Sequence, residues 1–296
     1  MKKIKYFLIV VIFGAAMNIS AQKNDIKIIS TKLTDNYYML KGRGGNIGLL
    51  IGNDGVLMID DQFAPLTPKI LEAIKKITPK PVSYLLNTHW HGDHTGGNQN
   101  MSKEGATIVS HENVRKRMSK DQVVRGRTKK ASPKDALPVL TFTEDMMFHY
   151  NDDAILFTHL HDAHTDGDAI VYFTKNNVIH TGDTYFQGRF PYIDLDSGGS
   201  IDGYIAGIGK IIMLADENTK IMPGHGNVAN REELIAYKKM LEDLKTKVQA
   251  EIDNGKSFEE VKNNKELTKE YASFSGWITE ERIRTTIYKS LKEVKK

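Results

Sequence analysis

The chain has 296 residues, 40% of them hydrophobic and 26% charged, with a formal net charge of +4. That composition suits a globular protein long enough for one large α/β domain with an extension, or for two small domains. It contains no cysteine, which excludes disulfides, lipid attachment at an N-terminal cysteine and every metal site that needs a thiolate.

Lys2, Lys3 and Lys5 form a basic n-region, Tyr6 to Ala16 an apolar h-region, and Ile19-Ser20-Ala21 a small-residue cleavage site before Gln22. This reads as a secretory signal peptide over residues 1–21, with an uncleaved N-terminal anchor as the alternative. The h-region is too short for a membrane span and no other run is long and apolar enough. The mature chain is therefore expected in a periplasm or outside the cell, without stable membrane insertion. Losing the segment removes three lysines and no acid, so the charge falls to +1 and gives no ground for a nucleic-acid partner.

Ile26 to Ile29, Asn36 to Leu40, Ile47 to Ile51 and Val56 to Ile59 read as a β-meander, with a hairpin turn at Asn53-Asp54-Gly55. The glycine-rich Lys41 to Asn46 lacks the Gly-Lys-Ser/Thr ending of a phosphate-binding loop, and reads as a hairpin connection or a flap near a site. A first helix is predicted over Pro68 to Ile77, capped by Thr67 and stopped by Pro79 and Pro81.

Val82, Leu85 and Leu86 then lead into Asn87-Thr88-His89-Trp90-His91-Gly92-Asp93-His94-Thr95-Gly96-Gly97-Asn98. Three histidines and an aspartate in the pattern H-x-H-x-D-H are ligands that zinc and similar divalent metals take. On a tight loop His89 and His91 can face one metal while Asp93 and His94 face another, and Gly92 frees the backbone for that turn.

Ala106 to Val109 is the next strand. Residues 111–135 are basic: Arg115, Lys116, Arg117, Lys120, Arg125, Arg127, Lys129, Lys130 and Lys134 stand against Glu112, Asp121 and Asp135. They read either as a lid that attracts an anionic substrate or as a solvated surface helix and loop. Strands follow from Val139 to Leu160 around a turn at Asn151-Asp152, and from Ala169 to Phe173 and Val178 to Thr181. Ser200 is expected to cap a helix over Ile201 to Leu214, Ile221-Met222 to form a last strand, and Arg231 onward to be helical. Strands interleaved with helices without regular alternation suggest two sheets with helices outside them.

A dinuclear site needs more than four ligands. His164 in Ala163-His164-Thr165-Asp166-Gly167-Asp168, Asp183 in Thr181-Gly182-Asp183-Thr184 and His225 in Pro223-Gly224-His225-Gly226 each follow an apolar strand and sit among turn-forming residues. His161 is a rival to His164, but is expected inside the strand hairpin. His159 and His180 read as residues within strands, and His111 and His149 have no nearby partner in sequence. Asp166 and Asp168 are expected to form the turn and orient His164.

These motifs, in this order over residues 26–226, resemble the metallo-β-lactamase superfamily. The resemblance implies an αββα sandwich with metals at one edge of its two sheets, over residues 22–230, and residues 231–296 as a C-terminal helical extension packed on the same domain. It also implies two zinc ions per chain, with iron or manganese as the alternative. His89, His91 and His164 would bind the first; Asp93, His94 and His225 the second; Asp183 would bridge them.

The β-lactamases with a cysteine ligand are not matched by a cysteine-free chain. Asp183 instead resembles the bridging aspartate of glyoxalase II and the acyl-homoserine lactonases, although the lactonase tyrosine position is Phe186 here, with Tyr185 one place earlier. The Thr-Gly-Gly-Asn after His94 and the run Gly188-Arg189-Phe190-Pro191-Tyr192 look most like exported, β-lactamase-like hydrolases. The expected reaction is attack by a metal-bridging hydroxide on an amide- or ester-type carbonyl of a small molecule, with Asp93 orienting the nucleophile. A lactonase is the alternative; in a different class stand a non-hydrolytic metal-binding accessory protein and a mononuclear iron enzyme. Tyr271, Phe274 and Trp277 are candidates to wall the substrate pocket, and the C-terminal helices for a homodimer contact.

Overall fold

The computed structural model describes residues 26–124 and 126–292. The targeting segment expected over residues 1–21 and Arg125 of the basic stretch lie outside the described residues.

The chain opens with the predicted antiparallel meander: β1 (Ile29–Lys32), β2 (Tyr37–Lys41), β3 (Ile47–Gly52) and β4 (Gly55–Ile59). β1 begins where the apolar run was expected to end, and all four of its residues are exposed. Ile26 and Ile28 pack against the core from the irregular segment before it, so their apolarity marks a contact and not a strand. Gly55 closes the Asn53-Asp54 turn at φ +125°, a conformation that needs glycine.

α1 (Thr67–Lys75) buries Ile70, Ala73 and Ile74. Thr67 is not its cap: the chain enters from a 3-10 turn over Ala64–Leu66, and Thr67 is already the first helical residue. Its hydroxyl instead accepts from Asn100 Nδ2 at 3.2 Å.

β5 (Val82–Asn87), α2 (Gly92–Thr95), α3 (Asn98–Lys103), β6 (Thr107–His111), α4 (Glu112–Met118) and a separate hairpin of β7 (Gln122–Val124) and β8 (Arg127–Lys129) follow. β9 (Leu140–Phe142) completes a seven-stranded sheet of order β1-β2-β3-β4-β5-β6-β9. β10 (Asp145–Tyr150), β11 (Asp153–His159), β12 (Ala169–Phe173) and β13 (Val178–His180) come next, then α5 (Ile201–Leu214) and β14 (Lys220–Met222). β10 to β14 form a five-stranded sheet in sequence order. Ser200 caps α5 by accepting from the Gly203 amide, as expected. α6 (Arg231–Asp253), α7 (Phe258–Asn263) and α8 (Glu280–Lys292) end the described chain; a reciprocal Asn230–Glu233 capping box starts α6.

The two sheets meet face to face, with Tyr37, Leu50, Leu57 and Leu86 of one against Phe157, Val171, Phe173 and Met222 of the other. The outer face of the large sheet buries Leu49, Met58 and Ile108 against Ile70 and Ile74 of α1 and Met101 of α3. On the small sheet Ile170, Ile179 and Ile221 are covered by Ile208 of α5, Leu241 and Leu244 of α6 and Ile287 of α8. The layering is the expected αββα sandwich, because each sheet has two apolar faces and each helix one apolar stripe to offer. β4, β5 and β6 run parallel, as do β13 and β14, so their carboxyl ends deliver side chains to a common edge.

Candidate metal centre

The centre begins beneath the histidine loop. Just past β4, Asp60 takes the Thr88 amide on Oδ1 and the Thr88 hydroxyl on Oδ2, each at 2.8 Å. Asp60 and Gln62 both sit at φ +58°, a left-handed conformation that costs a residue with a Cβ about 1–2 kcal/mol. That cost lets three consecutive side chains point to three partners. Asp61 accepts from the Gly97 amide at 2.8 Å, and Gln62 Nε2 donates to Gly45 O at 2.7 Å.

The glycine-rich connection after β2 is packed against this loop. The Gly45 amide donates to Asp93 O at 3.0 Å, and a Cβ on Gly45 would stand 2.2 Å from His94 Cε1. Gly45→Ala is therefore expected to destabilise the protein by about 1–3 kcal/mol, the usual cost of overpacking. The check is a thermal melt, where this lowers Tm by several degrees.

Seven side chains converge in two groups. His89, His91, His164 and Asp183 form one and Asp93, His94 and His225 the other; within each group the candidate ligand atoms lie within 4.8 Å of one another. Asp183 lies between the groups. Its Oδ2 is 3.8 Å from His89 Nε2 and 3.6 Å from His164 Nε2. Its Oδ1 is 3.1 Å from His94 Nε2 and 3.4 Å from His225 Nε2. Asp93 Oδ2 lies 3.3 Å from His225 Nε2.

Most of the rings are held from behind by their far nitrogen, which leaves the near one facing the centre. Asp194 Oδ2 holds His91 Nε2 at 2.8 Å, Asp60 Oδ2 holds His94 Nδ1 at 2.7 Å, and the Tyr192 carbonyl holds His164 Nδ1 at 2.6 Å. His91 Nδ1 and His164 Nε2 then face each other at 2.9 Å. Asp168 fixes the His164 turn by accepting from the amides of His164 and Thr165 at 2.5 and 2.8 Å. Asp166 does not share that task, because its carboxylate faces away and pairs with Arg117 at 2.6 and 2.8 Å.

His89 Nε2, His94 Nε2 and Asp183 Oδ1 are buried without a hydrogen-bond partner; the close His94–Asp183 approach is not aligned for one. An unmet buried polar atom costs about 1–3 kcal/mol, and three pointing at one space fit a cation that accepts imidazole and carboxylate. The residues present suit a divalent metal.

The halves differ electrically. Burial, with the neighbouring imidazoles, holds His89 well below the usual histidine range and His164 down to about 4. These rings are neutral and ready to coordinate. Burial also opposes charge on His94 and His225, yet Asp183 and Asp93 outweigh it; His94 is raised well above its ordinary value and His225 to about 9. Asp93 falls to about 2, because His94 and His225 overcome its burial. Asp93 is ionised throughout the neutral range.

The remaining histidines have other partners. His111 stacks on His159 at 3.8 Å, and His180 Nε2 meets Asn46 O at 3.0 Å. His149 is exposed on β10. His161 is not inside the strand hairpin: β11 ends at His159, and His161 faces Glu144 at 3.2 Å on the surface. Sequence reasoning missed Asp60 and Asp194. Asp60 carried a usable signal, a carboxylate directly after an apolar strand; Asp194 carried none.

A cleft of about 880 Å³ opens over both groups. Trp90, Asp93, Asp183, Phe186 and His225 line it near the centre, while Val124, Arg127 and Lys129 reach it from the β7–β8 hairpin. Phe186 stacks on His225 at 5.3 Å; Tyr185 is buried against Tyr237. Trp277 walls the cleft, whereas Tyr271 hydrogen-bonds Asp243 at 3.0 Å and Phe274 packs on Phe190. The basic stretch divides the same way. Lys116 and Lys130 pair with Glu112 and Asp121, as a solvated face does; Arg117 pairs with Asp166 in a half-buried bridge, and Arg127 and Lys129 turn to the cleft.

The chain is similar to several known proteins. The family model described as metallo-beta-lactamase superfamily matches residues 40–225. A hydroxyacylglutathione hydrolase of Pelagibacter ubique is 30% identical over 230 residues, 76% of this chain and 80% of that protein. A "probable metallo-hydrolase" of Methanocaldococcus jannaschii is 26% identical, over 64% of this chain and 91% of its own. Among solved structures, a metallo-beta-lactamase from Pontibacter korlensis superposes with a TM-score of 0.63 at 16% identity, over 73% of this chain and all of that one.

Proposed function

The chain belongs to the metallo-β-lactamase superfamily and is a metal-dependent hydrolase; on that premise we propose that it cleaves an amide- or ester-type bond of a small molecule with two zinc ions, in the manner of a β-lactamase. The observation that carries the reading is the pair of ligand groups at the floor of an open cleft, with buried, unpartnered His89 Nε2, His94 Nε2 and Asp183 Oδ1 aimed between them. His89, His91 and His164 would hold one zinc, Asp93, His94 and His225 the other, and Asp183 would touch both. Zinc held there would supply Lewis acidity and would lower the pKa of water from about 16 toward 7, so that hydroxide would be available at neutral pH.

The protein's own groups do the rest. Asp93 is ionised and partly exposed at the cleft floor, so its carboxylate can orient a nucleophile, accept the proton that nucleophile gives up and pass it to the leaving group. Asp194, Asp60 and the Tyr192 carbonyl fix ring orientation. Trp90 and Phe186 keep the floor apolar and limit water. The relative named as a hydroxyacylglutathione hydrolase supports acyl transfer to water as the reaction type. The n-, h- and cleavage-region pattern of residues 1–21 supports export to the periplasm or beyond, which disfavours chiefly cytoplasmic substrates.

The test is a metal analysis followed by a hydrolysis panel on the zinc-loaded protein: a chromogenic cephalosporin, an acyl-homoserine lactone, a thioester and a phosphodiester. The expected result is about two zinc per chain and turnover of the cephalosporin or another acyl compound. Turnover of the phosphodiester alone, or of none, overturns the amide- or ester-hydrolase reading.

A further inference from the structure

Of the basic residues between β6 and β9, Arg127 and Lys129 turn to the cleft. Among the described residues Arg127 and Lys129 form no ion pair with a carboxylate, and neither does Arg189, which lines the cleft from the loop after Phe186. Lys116, Arg117 and Lys130, nearby in sequence, each have one.

Lys129 is the best placed of the three. Its Nζ stands 4.3 Å above the centre of the Trp90 ring and donates to Trp90 O at 3.3 Å. It reaches within 4.0 Å of where a Cβ on Gly92 would lie, directly over the histidine loop. Burial lowers its pKa, and only Asp93 counters this. Asp93 itself faces His225 and His94, so it is committed elsewhere. The Trp90 face steadies the ammonium but uses only one side of it, and a neighbouring divalent-metal site offers it no compensation. The walls beyond are aromatic, from Phe186, Tyr192 and Trp277.

We propose that Lys129, carried on the β7–β8 hairpin, is the anion-recognition residue of the cleft, and that the natural substrates are acyl compounds bearing a carboxylate and an apolar body. The proposal rests on the cleft being the hydrolytic site. Lys129 binds the carboxylate, the aromatic walls bind the body, and the acyl group then lies over Asp93 and His225. Arg127 and Arg189, more exposed at the mouth, steer anions inward.

The test separates binding from turnover. Phenylacetate and neutral phenylacetamide are titrated into the zinc-loaded protein by calorimetry, with Lys129→Met, which keeps the apolar stem on Trp90, and Lys129→Arg, which keeps the charge. The parent is expected to bind phenylacetate at least about tenfold more tightly than the amide. Lys129→Met should bring the two within about twofold and Lys129→Arg should retain most of the preference. An equal affinity in the parent, or a preference that survives Lys129→Met because the metals alone hold the anion, overturns the proposal. Should the parent show the preference and yet hydrolyse nothing in the panel above, the hydrolase reading fails while the anion site stands.

Discussion

Asp93→Ala is expected to lower turnover of the natural substrate by about 10²–10⁴-fold, the range for losing a positioned acid–base group, while the fold survives. The reasons lie in how Asp93 is attached. Its carboxylate is 29% exposed and, among the described residues, pairs with His225 and His94, at 3.3 and 3.7 Å. Its backbone is held separately, through the bond from the Gly45 amide to Asp93 O. Removing the side chain thus leaves the loop in place. It also leaves His225 with one carboxylate instead of two, and since Asp93 helps raise the His225 pKa to about 9, that value falls in the variant. A neutral His225 coordinates metal more readily, so zinc content at neutral pH should fall less than activity does. Steady-state kinetics, circular dichroism and metal analysis on one preparation check all three parts. Turnover at the parental rate would remove Asp93 from the mechanism.

The candidate motif was legible because its candidate ligands obey a local rule. Each group follows an apolar strand and sits among glycines or turn residues, and parallel strands bring such ends to one edge of a sheet. His89, His164, Asp183 and His225 all follow it. What held the rings was much less legible. Asp194 reaches His91 across 103 residues and Tyr192 reaches His164 across 28, and no spacing in sequence announces a pairing that only the folded sheets create.

The same limit applies to the basic stretch. Lys116 and Glu112 are four apart on α4, a readable pairing. Whether Lys129 faces solvent or the cleft depends on how the β7–β8 hairpin leans on Trp90. At the helix start the misreading was chemical: Thr67 is a good cap by residue type, but an upstream 3-10 turn already supplied the entry. In the first strand a short apolar run was read as a strand, whereas Ile26 and Ile28 pack on the core from an irregular segment.

Asp183→Asn is expected to lower metal content and turnover together. The change keeps the shape of a side chain that is 5% exposed and removes its charge. Asp183 Oδ1 and Oδ2 each face a different candidate ligand group, so under the two-zinc proposal the amide would leave one or both metals short of an anionic ligand. Metal content is expected to fall from about two per chain to one or fewer, and turnover by more than about 10³-fold, over 4 kcal/mol of transition-state stabilisation. One effect opposes this. Asp183 is the largest of the charges that raise His225 to about 9 and hold His94 up, so in the metal-free parent these rings carry protons at pH 7 that a metal must displace. The amide lowers both pKa values and relieves that competition, by at most about two powers of ten for His225 at pH 7. At pH 9 the parent has shed much of that handicap and the variant gains little. The affinity gap between them should therefore widen from pH 7 to pH 9, as followed by zinc titration against a competing chelator. A gap that narrows with pH would mean that Asp183 serves to tune the histidines and does not bind the metals.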